Sequence, residues 1–215
     1  MLITFRERLK NMFRPGTLQH TAEDLDATGQ IDTTLRSVNM HADNWVEIVS
    51  NQQNAKKGND YVKLDHGVLT INQINALLNS LPLELTYADS NNQFIYYNYH
   101  LEKEDMLADR DPTQVGNPLS TCHPDYAIDH VDYVIQQLRN DEIDTYRINA
   151  PNPDPEKFVV HNYTSIKDEK DNYMGVNEYV HDLEPMIEWY LKETNQELVQ
   201  KDSAVDAVSS ASQSN

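Results

Sequence analysis

The segment LSTCHPDYAIDH contains the side chains whose types suggest chemistry first, because it pairs Cys122, the single cysteine of the chain, with His123. A thiolate or an imidazole can ligate a metal or haem iron, and a helix N-terminus lowers the pKa of a thiol and makes it a better redox sensor. The alternative is structural. Thr121 to His123 would cap a helix whose first position is Pro124, where a missing N–H costs nothing. We favour capping, and keep His123 as a candidate haem ligand.

Glu178 is the second candidate, in the segment MGVNEYV. The alternation of a strand places it on the same face as Met174, Val176 and Val180. A carboxylate among apolar residues needs a partner or a raised pKa. A partly exposed strand end, where Glu178 meets solvent or a basic side chain, remains an equal alternative. Our hypothesis is that Glu178 faces a cavity, where it bonds a ligand or Tyr163.

The sequence carries no catalytic signature, neither G-x-S-x-G nor a phosphate-binding loop nor a kinase motif. Its eight histidines are scattered, without the i, i+4 pairs or C-x-x-C motifs of zinc sites. We therefore expect neither an enzyme nor a structural metal site.

Composition narrows the class of partner and the compartment. The 17 Lys and Arg residues face 35 Asp and Glu, a formal net charge of -18, which disfavours nucleic-acid binding because phosphate is repelled. A lone cysteine forms no internal disulfide, which fits a reducing compartment. We see neither a signal peptide nor a run of ~18 apolar residues. The expected location is the cytoplasm.

Hydrophobic periodicity predicts the elements that would position these residues. A helix is predicted over 71–81, with Thr70 as its cap and Pro82 as its stop. Two strands follow, joined by a turn at 90–92. In the first strand, Leu85 and Tyr87 alternate with polar residues. A helix over 125–140 and three hairpin-linked strands up to 182 come next, and then a C-terminal helix. This order indicates an α+β fold with a five-stranded antiparallel sheet and helices packed on one face.

The two ends of the chain differ from its middle. Residues 1–60 are predicted as a partly helical N-terminal extension, which opens with a basic amphipathic helix over 1–16 and ends in a linker. That helix could lie on a membrane surface, but we favour docking on the acidic protein itself. The C-terminal helix is placed at 186–200, and the low-complexity tail 201–215 is expected to be disordered.

Four blocks within residues 61–185 carry a resemblance to a known family. They are GVLTINQINALLNSLPLELTYAD, ADRDPTQVGNPLSTCHP, VDYVIQQLRNDEIDTY and NYTSIKDEKDNYMGVNEYVHDL, in this order. Together they resemble PAS domains, and in particular those at the C-terminal end of DUF438-type bacterial proteins. Three positions depart from the family pattern, namely Asp125, Lys167 and Leu183. The first lies where a second proline is expected and puts ligand chemistry at that loop in doubt.

The resemblance implies a sensory module without catalytic activity, which binds a small molecule between sheet and helix and signals to a protein partner through its flanking helices. It also implies a homodimer, formed through the outer sheet face or those helices. The alternative function is a haem- or flavin-binding redox sensor that uses the same pocket. The pocket candidates are Tyr87, Tyr97, His123, Val134, Tyr163, Val176 and Glu178.

Overall fold

The protein is described here by a computed structural model, which covers residues 22–29, 38–150 and 154–199. A five-stranded antiparallel sheet forms its centre, in the spatial order β4-β3-β7-β6-β5. A separate hairpin, β1 (Tyr61–Leu64) and β2 (Gly67–Thr70), precedes it. The strands of the main sheet are β3 (Glu84–Asp89), β4 (Phe94–Tyr97), β5 (Thr145–Asn149), β6 (Val159–Lys167) and β7 (Tyr173–Asp182). The predicted α+β class and its five-stranded antiparallel sheet are confirmed.

Five α-helices accompany these strands in the described ranges. They are α1 (Trp45–Gln52), α2 (Ile71–Asn79), α3 (Leu119–Cys122), α4 (Ile128–Arg139) and α5 (Glu184–Thr194). The C-terminal helix α5 thus begins two residues earlier than predicted and ends well before residue 200. Within the described ranges, every helix is too short or too polar to span a lipid bilayer.

Helix α2 begins where the sequence predicts. The Thr70 hydroxyl accepts from the Gln73 amide at 3.2 Å, and the Gln73 side chain accepts from the Thr70 amide at 2.9 Å. This reciprocal pair satisfies two backbone donors that a helix N-terminus otherwise leaves unpaired. The helix ends at Asn79, three residues before Pro82.

The main core lies between α4 and the sheet. Val134, Ile135 and Leu138 point from the helix onto Ala88 of β3 and Val176 of β7, and all five side chains are buried. They fall at i, i+1 and i+4 on α4, the spacing of one helical face. At about 25 cal/mol per Å² of apolar surface removed from water, each large side chain contributes ~1.5–3 kcal/mol to holding α4 on the sheet.

A second core cluster forms around Trp45 at the start of α1. Its indole packs with Val38, Phe94 of β4 and Val115, all buried. Gly116 stands directly against the indole ring, since a Cβ there would approach it to 2.4 Å. Helix α1 therefore helps to build the core of the main domain.

Residues 22–29, here called the strap, also belong to this domain. Leu25 and Ala27 are buried, and Glu23 accepts a forked hydrogen bond from Arg139 at the end of α4, with N···O distances of 2.8–3.1 Å. Asn91 in the β3–β4 turn donates to the Ala27 carbonyl at 2.9 Å. Segments before residue 60, where the sequence predicts a domain boundary, are therefore packed into the core of the main domain.

The basic helix predicted over 1–16 and the tail predicted over 201–215 lie outside the described residues.

Candidate ligand cavity

A cavity of about 250 Å³ lies between α4 and the sheet. Its roof comes from α4 and the loop before it, with Leu119, His123, Pro124, Tyr126, Ala127, His130, Val131, Val134 and Ile135. Its floor comes from four strands, with Thr86, Ala88, Ile148, Ala150, His161, Tyr163, Val176 and Glu178. Most of these side chains are apolar, and the polar ones on the floor are neighbours on the sheet.

The strand register brings those polar side chains together. Thr86 of β3 pairs with Glu178 of β7, which in turn pairs with Tyr163 of β6, so the three form one row across the sheet. His161 lies two residues from Tyr163 on the same face, and the two rings stack with centroids 6.4 Å apart. A strand period of two thus places four polar side chains on the cavity floor.

The inner face of β3 differs from the prediction. Glu84, Thr86 and Ala88 face the helices, whereas Leu85 and Tyr87 lie on the opposite face. Glu84 is buried because the backbone amides of Leu107 and Ala108 donate to its carboxylate. Donors supplied by this loop make a polar residue the better occupant of the interior.

Glu178 is the centre of the polar cluster. Arg110 Nη2 donates to its Oε2 at 2.5 Å, and His161 Nδ1 lies 2.8 Å from its Oε1. Burial and the nearby Glu178 carboxylate raise the pKa of the Tyr163 hydroxyl. Burial alone would raise the pKa of Glu178, but the adjacent guanidinium and the imidazole lower it to about 2. The carboxylate is therefore ionised, and its acceptor sites are occupied by donors of the protein itself.

Arg110 is a residue of this cluster that our sequence reasoning did not select. Its Nε donates to the Thr86 hydroxyl at 3.1 Å, and Nη1 donates to two backbone carbonyls of its own loop, at 3.0 and 3.2 Å. The nearby Glu178 charge raises the pKa of the guanidinium against the effect of burial. Arg110 lies in the second of the four resemblance blocks, ADRDPTQVGNPLSTCHP, and its membership of that block was the available signal.

His123 lines the cavity, but the predicted capping arrangement around it is wrong. His123 directly follows the short helix α3, and its side chain contacts that helix, with Nδ1 2.9 Å from the Leu119 carbonyl oxygen. The Thr121 hydroxyl donates to the Pro118 carbonyl. Pro124 precedes a 3-10 turn, Asp125–Ala127, and α4 begins only at Ile128.

Cys122 does not have the activated thiol that a helix N-terminus would give. It is the last residue of α3 and packs in the Trp45 cluster. Burial raises the pKa of its thiol to about 11, although the Arg110 charge acts in the opposite direction. The thiolate is the reactive form of cysteine, so the redox-sensor reading of Cys122 is corrected.

The structure brings five of the seven predicted pocket residues together around the cavity, namely His123, Val134, Tyr163, Val176 and Glu178. The other two lie elsewhere. Tyr87 is on the far face of β3, where its hydroxyl donates to the Met174 carbonyl at 2.8 Å. Tyr97 packs in the Trp45 cluster, with its ring 6.0 Å from that of Phe94. Both are removed from the set of pocket candidates.

The size of this cavity favours a ligand smaller than haem or flavin. Pockets for drug-sized ligands measure roughly 300–1,000 Å³, and these cofactors are at least as large as such ligands, whereas the cavity measures about 250 Å³. Among the described residues, no group of three or more His, Cys, Asp and Glu side chains is placed to hold a metal ion.

A family model and several solved structures are similar to this chain. The model of the PAS domain family matches residues 74–184. The C-terminal domain of a Streptococcus mutans protein is 33% identical, with a TM-score of 0.59, and the match covers 62% of this chain and 99% of that one. The PAS domain of BvgS from Bordetella pertussis is 11% identical, with a TM-score of 0.37 and coverage of 58% and 92%. A sensory box sensor histidine kinase from Vibrio cholerae is 17% identical, with a TM-score of 0.37 and coverage of 51% and 89%. No curated protein matches the chain significantly.

Proposed function

The chain belongs to the PAS domain family, and from this premise we propose that it is a sensory module that binds a small molecule in the cavity beneath α4. In this proposal the module catalyses no reaction of its own and is located in the cytoplasm. The single cysteine favours that location. The narrower kinship with DUF438-type proteins stays a prediction.

The cavity itself is the observation that carries the proposal. Natural cores fill their interior and leave few voids larger than a water molecule, so about 250 Å³ between helix and sheet represents lost packing. The walls are largely apolar, and a few polar groups converge on one part of the floor. This combination is typical of small-molecule sites.

Occupancy can reach the flanking segments through α4. Val134 lies over the cavity, and Arg139 at the end of the same helix holds the strap through Glu23. A ligand that binds better to one position of α4 than to another shifts the population of those positions. The strap and α5 are the segments that we propose a protein partner reads.

The first test is to denature the freshly purified full-length protein and to identify by mass spectrometry any small molecule that it releases. A Val134→Phe variant, which adds a ring on the cavity side, should release none and should unfold at the same or a higher temperature, since it fills a void. Val68→Phe is the matched control, because Val68 is 60% exposed on the hairpin, and it should release the same molecule as the wild type. If neither the wild type nor the control carries or takes up any small molecule, the proposal fails.

Homodimerisation is the second part of the proposal. Helix α5 carries an exposed apolar stripe, which a second copy could cover. The stripe consists of Met186, Trp189 and Tyr190 at i, i+3 and i+4, which are 62%, 59% and 52% exposed. Light scattering after gel filtration should give twice the chain mass of 24.8 kDa, and Trp189→Glu should return it to the monomer mass. A monomeric wild type at high concentration would refute this part.

A further inference from the structure

Two imidazole rings on the cavity wall are held in the same tautomer. His161 Nδ1 faces the ionised Glu178 carboxylate at 2.8 Å, and His123 Nδ1 faces the Leu119 carbonyl oxygen at 2.9 Å. Both partners only accept, so in both rings Nδ1 carries the proton and donates. The neutral form of each ring therefore has an unprotonated Nε2. Within residues 22–29, 38–150 and 154–199, neither Nε2 has a hydrogen-bond partner.

The other polar groups of the floor are largely engaged. Glu178 accepts from Arg110 through one oxygen and from His161 through the other, so its carboxylate offers little to a ligand. The Tyr163 hydroxyl lines the cavity beside this carboxylate and keeps both its proton and its lone pairs for a further contact. Thr86 accepts from Arg110 and retains its hydroxyl proton, which makes it a donor on this floor. The Nε2 atoms of His123 and His161 are thus acceptors that no described donor satisfies, whereas the two hydroxyls can donate or accept.

From this arrangement we infer that the molecule bound in the cavity is neutral, smaller than a drug-sized ligand, and carries an O–H or N–H donor on an apolar frame. This inference rests on the proposed function, since it specifies the ligand of the same cavity. The donor would meet Nε2 of His161 or His123, and the frame would lie against α4.

Charge complementarity disfavours ionic ligands. Glu178 and Arg110 neutralise each other, so neither is available to a ligand ion, and an unpaired charge in an apolar site is costly. A carboxylate would also face the Nε2 lone pairs. An ammonium group would find acceptors but no free negative charge among the described cavity residues.

The tautomers can be observed directly. Two-dimensional ¹⁵N–¹H correlation of the imidazole rings near neutral pH should show the Nδ1–H tautomer for both His123 and His161. His181 lies on the opposite face of the sheet beside Tyr179 and provides an internal comparison. An Nε2–H tautomer in either ring would overturn the inference, because that nitrogen would then donate.

The ligand class is tested with two probes that differ only at the donor, indole and 1-methylindole. Titrations followed by protein NMR should show that methylation weakens binding about tenfold, the effect of leaving a buried acceptor unpaired. Equal affinity would overturn the donor requirement and leave cavity binding intact. Binding of neither probe would overturn the proposed function and this inference together.

Variants of His123 and His161 show which ring causes the difference in affinity between the two probes. His161→Phe should bring the affinities of the two probes close together, and His181→Phe, the control on the far face, should preserve the difference. If His161→Phe is too unstable to titrate, His123→Phe replaces it, since its lost contact is to a single carbonyl. A probe preference that survives in both cavity variants would refute the roles given to these rings.

Discussion

Replacing Glu178 with glutamine tests the polar cluster, because it keeps the shape of the side chain and removes its charge. In the wild type the carboxylate accepts from Arg110 and from His161. In Glu178→Gln the guanidinium stays half-buried without its counter-charge, and the new amide directs N–H groups at one of the two donors. We therefore expect a folded but clearly less stable protein.

The magnitude follows from two lines of reasoning. Removing one partner of a buried ion pair costs ~3–5 kcal/mol, since the other charge is left uncompensated, and the Glu178 side chain is only 13% exposed. Lowering its pKa from 4.5 to about 2 corresponds to about 3 kcal/mol of stability. Because the pKa is lower in the folded state, this stabilisation is complete above pH ~4.5 and is lost as the pH falls through about 2.

Urea unfolding followed by circular dichroism gives the free energy of unfolding for both proteins. The wild type should exceed Glu178→Gln by about 3 kcal/mol near pH 7, and this difference should shrink by about 2 kcal/mol at about pH 3. Glu188→Gln is the control, since Glu188 is exposed on α5. Its free energy of unfolding should stay within ~0.5 kcal/mol of the wild-type value. A difference for Glu178→Gln that is below about 1 kcal/mol near pH 7, or that does not change with pH, would refute the ionised, paired carboxylate.

Three further predictions concern other parts of the molecule. Gly116→Ala should lower the free energy of unfolding by well over ~1 kcal/mol and change the tryptophan fluorescence, because φ is +103° and a Cβ would lie 2.4 Å from the indole. Gly58→Ala is the control, since φ is +78° but the space around it is open, and it should lower the free energy of unfolding by only ~1 kcal/mol. Cys122 should react with a disulfide reagent near neutral pH far more slowly than free cysteine, because its pKa is about 11; an equal rate would contradict its burial. Arg139→Ala should increase amide hydrogen exchange at Ser120, which donates to the strap at the Leu25 carbonyl, and unchanged protection there would show that the strap is held without the arginine fork.

From residue 71 onward the sequence predicts the order of the elements, because local patterns determine it, whereas the hairpin β1–β2 was not predicted. Apolar spacing marks α4, and the Thr70 pair marks the start of α2. The face of Glu178 could also be assigned, since β7 alternates regularly through Val176 and Val180, which are both buried. In these cases the information lies within about a dozen neighbouring residues.

The same reasoning fails where the partner is distant in the sequence. Alternation on β3 favours Leu85 and Tyr87 as the inner side chains, but Glu84 and Thr86 face inward because the loop at 107–110 supplies them with donors. Arg110 reaches Glu178 across 68 residues, a distance at which no spacing rule applies. Hydrogen bonds of this kind follow from the packed structure, so only coordinates reveal them.

The strap has a practical consequence for anyone who shortens this chain. A fragment cut at residue 74, where the family similarity begins, would lack Leu25, Ala27 and Trp45, and would open their niches in the core to water. Arg139 would lose its carboxylate fork, and the turn amides that bind the strap backbone would need new acceptors. The unit that must be expressed to obtain a folded protein is therefore longer than the unit that sequence kinship outlines, and its N-terminal boundary should be drawn before residue 22.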